Sequence, residues 1–164
     1  MTDTPAPQST PDFGVRTKKT ARMLGGMGLI PMLGLAALAV WGGPSWARLA
    51  LVSYAMLILA FMAGTLWARR IYAPPQPDSG RFELLASNAL VLAAWPAIGM
   101  STAVAAVWLG SLFALHLGLD QPWRRRSGPA WYRHMRLWIS VAVIGSLLTG
   151  GAIGLGMNVW STTP

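Results

Sequence analysis

His116 and Asp120 stand four residues apart, so on a helix they share one face, and both lie at the end of a long apolar run. Histidine is the side chain that changes charge near neutrality, so the pair has the parts of a proton shuttle, with the carboxylate holding one tautomer. Glu83, Ser87 and Asn88 open that apolar run at its other end. If the run folds back on itself, all five residues collect at one face of a membrane. Ionisable groups at membrane depth are costly unless paired, which makes this cluster the candidate site. The same residues serve a structural role equally well. A neutral His116 hydrogen-bonded to Asp120 or Asn88 would tie two helices together. His134 lies in a basic interfacial stretch and reads as a solvated side chain.

Other chemistries find little support. The chain has no cysteine, which removes thiolate catalysis, disulfides and Cys-based metal sites. Two distant histidines are too few for a metal centre, so no metal and no cofactor is expected. A hydrolase needs a nucleophile with a base in reach, and Ser87 shares only its depth with His116. Leu24-Gly25-Gly26-Met27-Gly28 is not a phosphate cradle, because no strand precedes it and no Lys-Ser/Thr pair follows. No residue is assigned a catalytic role.

The elements that must hold these residues are membrane spans. Of the 164 residues 54% are hydrophobic and 11% charged, against about 25% charged in a soluble domain. The thirty-six residues from Leu84 to Leu119 carry no charge. As one helix they would reach ~54 Å, well beyond a ~30 Å hydrocarbon core, so the run must turn. Pro96, Gly99 and the capping hydroxyls of Ser101 or Thr102 supply the turn. The remaining runs give an all-α polytopic bundle of five transmembrane segments, at about 23–43, 49–68, 84–98, 101–119 and 137–159. The third and fourth form a tight hairpin that crosses fully or is re-entrant. Residues 1–22 read as a disordered basic tail and 23–160 as the membrane domain. Met23–Gly43 is long for a signal sequence and reads as a retained span, with a kink expected at Pro31. Pro129–Arg136 reads as a short interfacial helix before the last span.

The charges orient the bundle. With five segments and the N-terminus inside, twelve of the thirteen Lys and Arg lie on the inner side and Arg48 alone outside. A single crossing by the central run would leave no bias, so the positive-inside rule selects the hairpin, N-terminus in and C-terminus out. Arg69, Arg70, Arg124, Arg125, Arg126, Arg133 and Arg136 are expected to meet anionic lipid at the inner face. Eight of the nine tryptophans fall near a proposed interface, and only Trp108 sits deep. The +8 balance is that of a membrane protein, and no nucleic-acid partner is expected. Small residues recur every four positions at Ala60/Gly64/Ala68, Gly110/Ala114/Gly118 and Ser146/Gly150/Gly154, where helices can approach closely, within one chain or between chains.

Gly28-Leu29-Ile30-Pro31, Phe61-Met62-Ala63-Gly64-Thr65-Leu66-Trp67 and Pro129-Ala130-Trp131-Tyr132-Arg133, followed by Arg136-Leu137, occur in an order and spacing that resembles a bacterial integral-membrane family, domain of unknown function 3429. The resemblance covers about Met23 to Gly154 and implies a mitochondrial transmembrane relative in animals. Members of that family often carry histidine before the second-span tryptophan, where this chain has Leu66, so no role of that histidine carries over. The resemblance implies architecture and no activity. The expected function is that of a non-enzymatic structural or assembly protein of a bacterial inner membrane, with a membrane-protein partner or a second copy. A small proton-coupled transporter or channel subunit using His116 is the alternative, and a membrane enzyme acting on lipid or quinone the second. Few polar groups in the spans favour the first.

Overall fold

The computed structural model describes residues 14–72, 79–120 and 130–160. These form five α-helices and no strand: α1 (Val15–Val40), α2 (Ser45–Tyr72), α3 (Ser79–Ala94), α4 (Thr102–Asp120) and α5 (Ala130–Trp160), with a 3₁₀ turn at Trp95–Gly99 between α3 and α4. Val15–Val40, Ser45–Ala68, Arg81–Gly99 and Thr102–Asp120 are long and apolar enough to cross a membrane. Much of what the chain shows to its surroundings is apolar, including Phe61 at 77% exposure and Leu85 at 69%. A surface of that kind suits lipid rather than water.

Two helices are longer than the apolar runs imply. Helix α1 begins at Val15, so the basic residues Arg16, Lys18, Lys19 and Arg22 are helical rather than part of a tail. No Gly or Pro separates them from Met23, and the helix nucleated by the apolar run extends through them. Helix α5 is continuous from Ala130, so Ala130–Arg136 is its first two turns and not a separate interfacial helix. Nothing between Arg136 and Leu137 breaks the backbone ladder.

The turns are as short as the breakers demand. Helix α1 ends when Gly42 takes φ 73°, and the Gly43 amide then reaches back to the Leu38 carbonyl at 2.8 Å. That bond closes a Schellman cap, a left-handed conformation glycine adopts without a Cβ penalty. In the hairpin, Pro96 at the start of the 3₁₀ turn cannot donate to the α3 carbonyls. The Trp108 indole N–H fills part of that gap, donating to the Ala93 carbonyl at 2.7 Å. Helix α3 with its 3₁₀ turn reaches ~34 Å and α4 ~29 Å, so each arm of the hairpin matches a hydrocarbon core.

The helices close into a ring in chain order, α1 against α2 and α5, α3 against α2 and α4, while α2 also meets α4 through the centre. Leu51, Leu59 and Leu66 of α2, Leu109 and Phe113 of α4 and Val143 and Leu147 of α5 are all almost fully buried there. Helices α4 and α5 come close together where Gly151 faces Ala106. A Cβ added to Gly151 would stand 2.5 Å from the Ala106 Cβ.

Candidate functional site

One end of the bundle gathers the start of α1, the end of α2, the start of α3, the end of α4 and the start of α5. Its polar side chains form a connected set. Asp120, the last residue of α4, lies 2.8 Å from Arg136 Nε on the second turn of α5. The contact is an ion pair rather than an aligned hydrogen bond. Arg136 is buried, with 5% of its surface exposed, so the charges meet where neither is well solvated. Arg136 Nη1 also donates to the Thr65 hydroxyl of α2 at 2.8 Å and to the Tyr132 hydroxyl one turn earlier on α5 at 3.0 Å. Thr65 passes the chain inward, donating to the Met62 carbonyl at 2.7 Å.

His116 completes it from the other side. Its Nε2 lies 3.0 Å from the same Met62 carbonyl, and the residue is 0% exposed. A carbonyl oxygen only accepts, so Nε2 carries the proton. Two donors from two helices thus converge on one α2 carbonyl. Ser87 of α3 adds a parallel tie, donating to the Ala63 carbonyl at 2.9 Å. The antiparallel register that pairs Asp120 with Arg136 and Ala106 with Gly151 sets Ser140 level with His116. Ser140 is 0% exposed, and among the described residues its hydroxyl has no hydrogen-bond partner.

The five expected site residues therefore separate. His116 and Asp120 lie together with Ser87 on the inside of the bundle, but His116 ties α4 to α2 rather than to α3. Asn88 is exposed and donates to Leu84 of its own helix at 3.0 Å, so it does not bond His116. Consecutive residues on a helix point about 100° apart, and Ser87 takes the inward direction. Glu83 is half-buried and engaged in an interaction of its own. Arg136, expected at the lipid, is instead the hub of the cluster, because Asp120 draws it inward. Arg70 and Arg133 are half-buried and likewise engaged. The Arg69 side chain and Arg124, Arg125 and Arg126 lie outside the described residues. Thr65, Tyr132 and Ser140 were missed; of these Tyr132 alone carried a sequence signal, four residues before Arg136 on one helix face.

The small-residue rows divide as well. Gly110, Ser146 and Gly150 are buried, and a Cβ on Gly150 would meet Leu51 at 3.0 Å. Gly64, Ala114 and Gly118 face outward, with no atom within 4 Å of a Cβ added to Gly64 or Gly118, while Ala60 is half-buried. The immediate surroundings of Gly154 lie outside the described residues.

Among the described residues no group of three His, Cys, Asp or Glu side chains could hold a metal ion. Chemically, the cluster can bind helices to one another and can hold one proton on His116. Residues 17–152 match the family described as a protein of unknown function, DUF3429. The chain belongs to that family. The match runs from the start of α1 into α5, so the Asp120–Arg136 pair and His116 fall within the DUF3429 region. No curated protein and no solved structure matches the chain.

Proposed function

We propose that this DUF3429 protein is a non-enzymatic structural or assembly protein of a bacterial inner membrane, crossing five times with its N-terminus inside and its C-terminus outside. The observation that carries the structural role is the hydrogen-bonded chain Arg136–Thr65–Met62–His116. It uses Arg136 Nη1, the Thr65 hydroxyl and His116 Nε2 to join α5, α2 and α4. The twelve-to-one distribution of Lys and Arg supports the orientation, with the polar end at the inner face and its anionic lipid. The outward faces at Gly64 and at Ala114/Gly118 support assembly, since small residues on an exterior helix face let another helix approach. A reporter active only outside the cytoplasm is expected to work after Pro164 and to be silent in the 121–129 segment; equal activity at both places overturns the topology.

The buried Ser140 hydroxyl level with His116 favours one second reading, a proton path through the bundle. A pair of His116 variants separates the two. His116→Gln keeps a donor for the Met62 carbonyl but takes up no proton near neutrality. His116→Leu removes the donor and with it the bond from α4 to α2, at about 0.5–1.5 kcal/mol, because Thr65 still donates to the Met62 carbonyl. A structural His116 makes Gln close to wild type in thermal unfolding and in the growth phenotype of a deletion strain, with Leu destabilised. A well-folded Gln variant that behaves as a deletion establishes the proton path instead.

A further inference from the structure

At the end of the bundle away from Asp120 and Arg136, a cleft of about 310 Å³ opens between the start of α2 and the hairpin turn. That is within the ~300–1,000 Å³ typical of small-ligand pockets. Its polar lining is Ser45, Arg48 and Thr102, and its floor is apolar, with Val52 and Ala97 buried. Arg48 is half-buried, yet among the described residues neither it nor the Ser45 and Thr102 hydroxyls has a protein partner. Among the described residues no acidic side chain lies at this end, since the sequence has none between Asp12 and Asp78, between Glu83 and Asp120, or in α5. An arginine held against a lipid-facing bundle with no counter-charge is costly unless something anionic meets it.

We propose that this cleft binds the phosphate of a lipid headgroup, with Arg48 as the charged donor and Ser45 and Thr102 as hydroxyl donors. Guanidinium matches phosphate oxygens in a paired fork geometry. Helices α2 and α4 both begin at the cleft, at Ser45 and Thr102, so their positive ends add a favourable field for an anion, although the Ala47 amide is taken by the Pro44 carbonyl at 2.9 Å. The apolar floor selects a lipid over a free anion, because it gives the first methylenes of an acyl chain a surface to cover. Depth agrees: Trp41, Trp46 and Trp95 are all exposed at this end, as interfacial tryptophans are. The site is separate from the polar cluster, and it stands whichever side of the membrane this end faces.

The test is native mass spectrometry of the full-length protein in detergent, titrated with phosphatidylglycerol, with diacylglycerol of the same chains, and with inorganic phosphate. Wild type is expected to hold one phosphatidylglycerol more than Arg48→Gln, whatever the basic end retains, and no diacylglycerol, with inorganic phosphate failing to compete. Arg48→Gln is expected to weaken phosphatidylglycerol binding at least about ten-fold, as loss of a charge-assisted bond does. Thr102→Val, which keeps the charge, weakens it less, and guards against a poorly folded Arg48→Gln. Arg22→Gln at the opposite end leaves this binding unchanged. Competition by inorganic phosphate that Arg48→Gln abolishes keeps the anion site and replaces the lipid with a soluble phosphate. Equal phosphatidylglycerol binding by wild type, Arg48→Gln and Thr102→Val overturns the proposal.

Discussion

The two ends of the bundle are held by different means. At the polar end the helices are joined by segments 73–78 and 121–129, and side chains tie them: Asp120 to Arg136, Arg136 to Thr65, His116 to Met62 and Ser87 to Ala63. At the other end the connections are the Gly42–Gly43 cap and the Trp95–Gly99 turn, and the chain itself sets the spacing. There the Trp108 indole bond to Ala93 supplements a turn that already holds α3 beside α4. The described turns hold neighbouring helices through backbone and indole bonds made within the turn, whereas Asp120, His116 and Ser87 act across interfaces between helices. Polar ties between side chains are therefore concentrated at the end away from those turns.

The largest expected effect is at the polar end. Arg136→Leu takes the buried guanidinium away from the half-buried Asp120 carboxylate and from the Thr65 and Tyr132 hydroxyls, and stability should fall by about 3 kcal/mol. Thermal unfolding in detergent, followed by tryptophan fluorescence, measures it. Replacing both partners in an Asp120→Leu/Arg136→Leu protein should restore much of the loss, because no lone charge then remains. An Arg136→Leu protein as stable as wild type would break the contrast between the ends.

Between the ends, packing replaces polar ties. Gly151→Leu must push α4 from α5 at Ala106 and should cost about 1–3 kcal/mol in the same unfolding measurement. Gly64→Leu, with open space beyond its Cα, should leave the isolated protein within about 0.5 kcal/mol of wild type. If the assembly reading holds, Gly64→Leu should instead reduce what co-purifies in mild detergent. Equal destabilisation by the two would mean that outward and inward glycines are not distinct.

The smallest effect is expected at the hairpin. Trp108→Phe keeps the ring's bulk and removes the bond to Ala93, at about 0.6 kcal/mol for a hydrogen bond in a membrane setting. A loss comparable to that of Arg136→Leu would show that the turn depends on this bond and does not hold α3 and α4 by itself.

Local signals sufficed for the apolar helices and the hairpin turn, but not for the helical extension over Val15–Arg22 or the continuity of α5 across Arg136. An uncharged run too long for one crossing, interrupted by Pro96 and Gly99, demands a turn wherever its neighbours lie. Residues 102–119 must then be helical, because only a helix satisfies its own backbone in an apolar medium. His116 and Asp120 could be placed on one face of α4 for the same reason, since a four-residue spacing is a property of one helix. Which helix that face meets is a different matter. The rotation of each helix about its axis is set by packing all five together, and only that rotation brought Met62 of α2 to His116 and Arg136 of α5 to Asp120. The same cause turned Gly64 and Gly118 outward while Gly151, outside the small-residue rows, met Ala106. Spacing along one helix is written in the chain; the partner across an interface is decided by the tertiary structure, because five helices must share one interior.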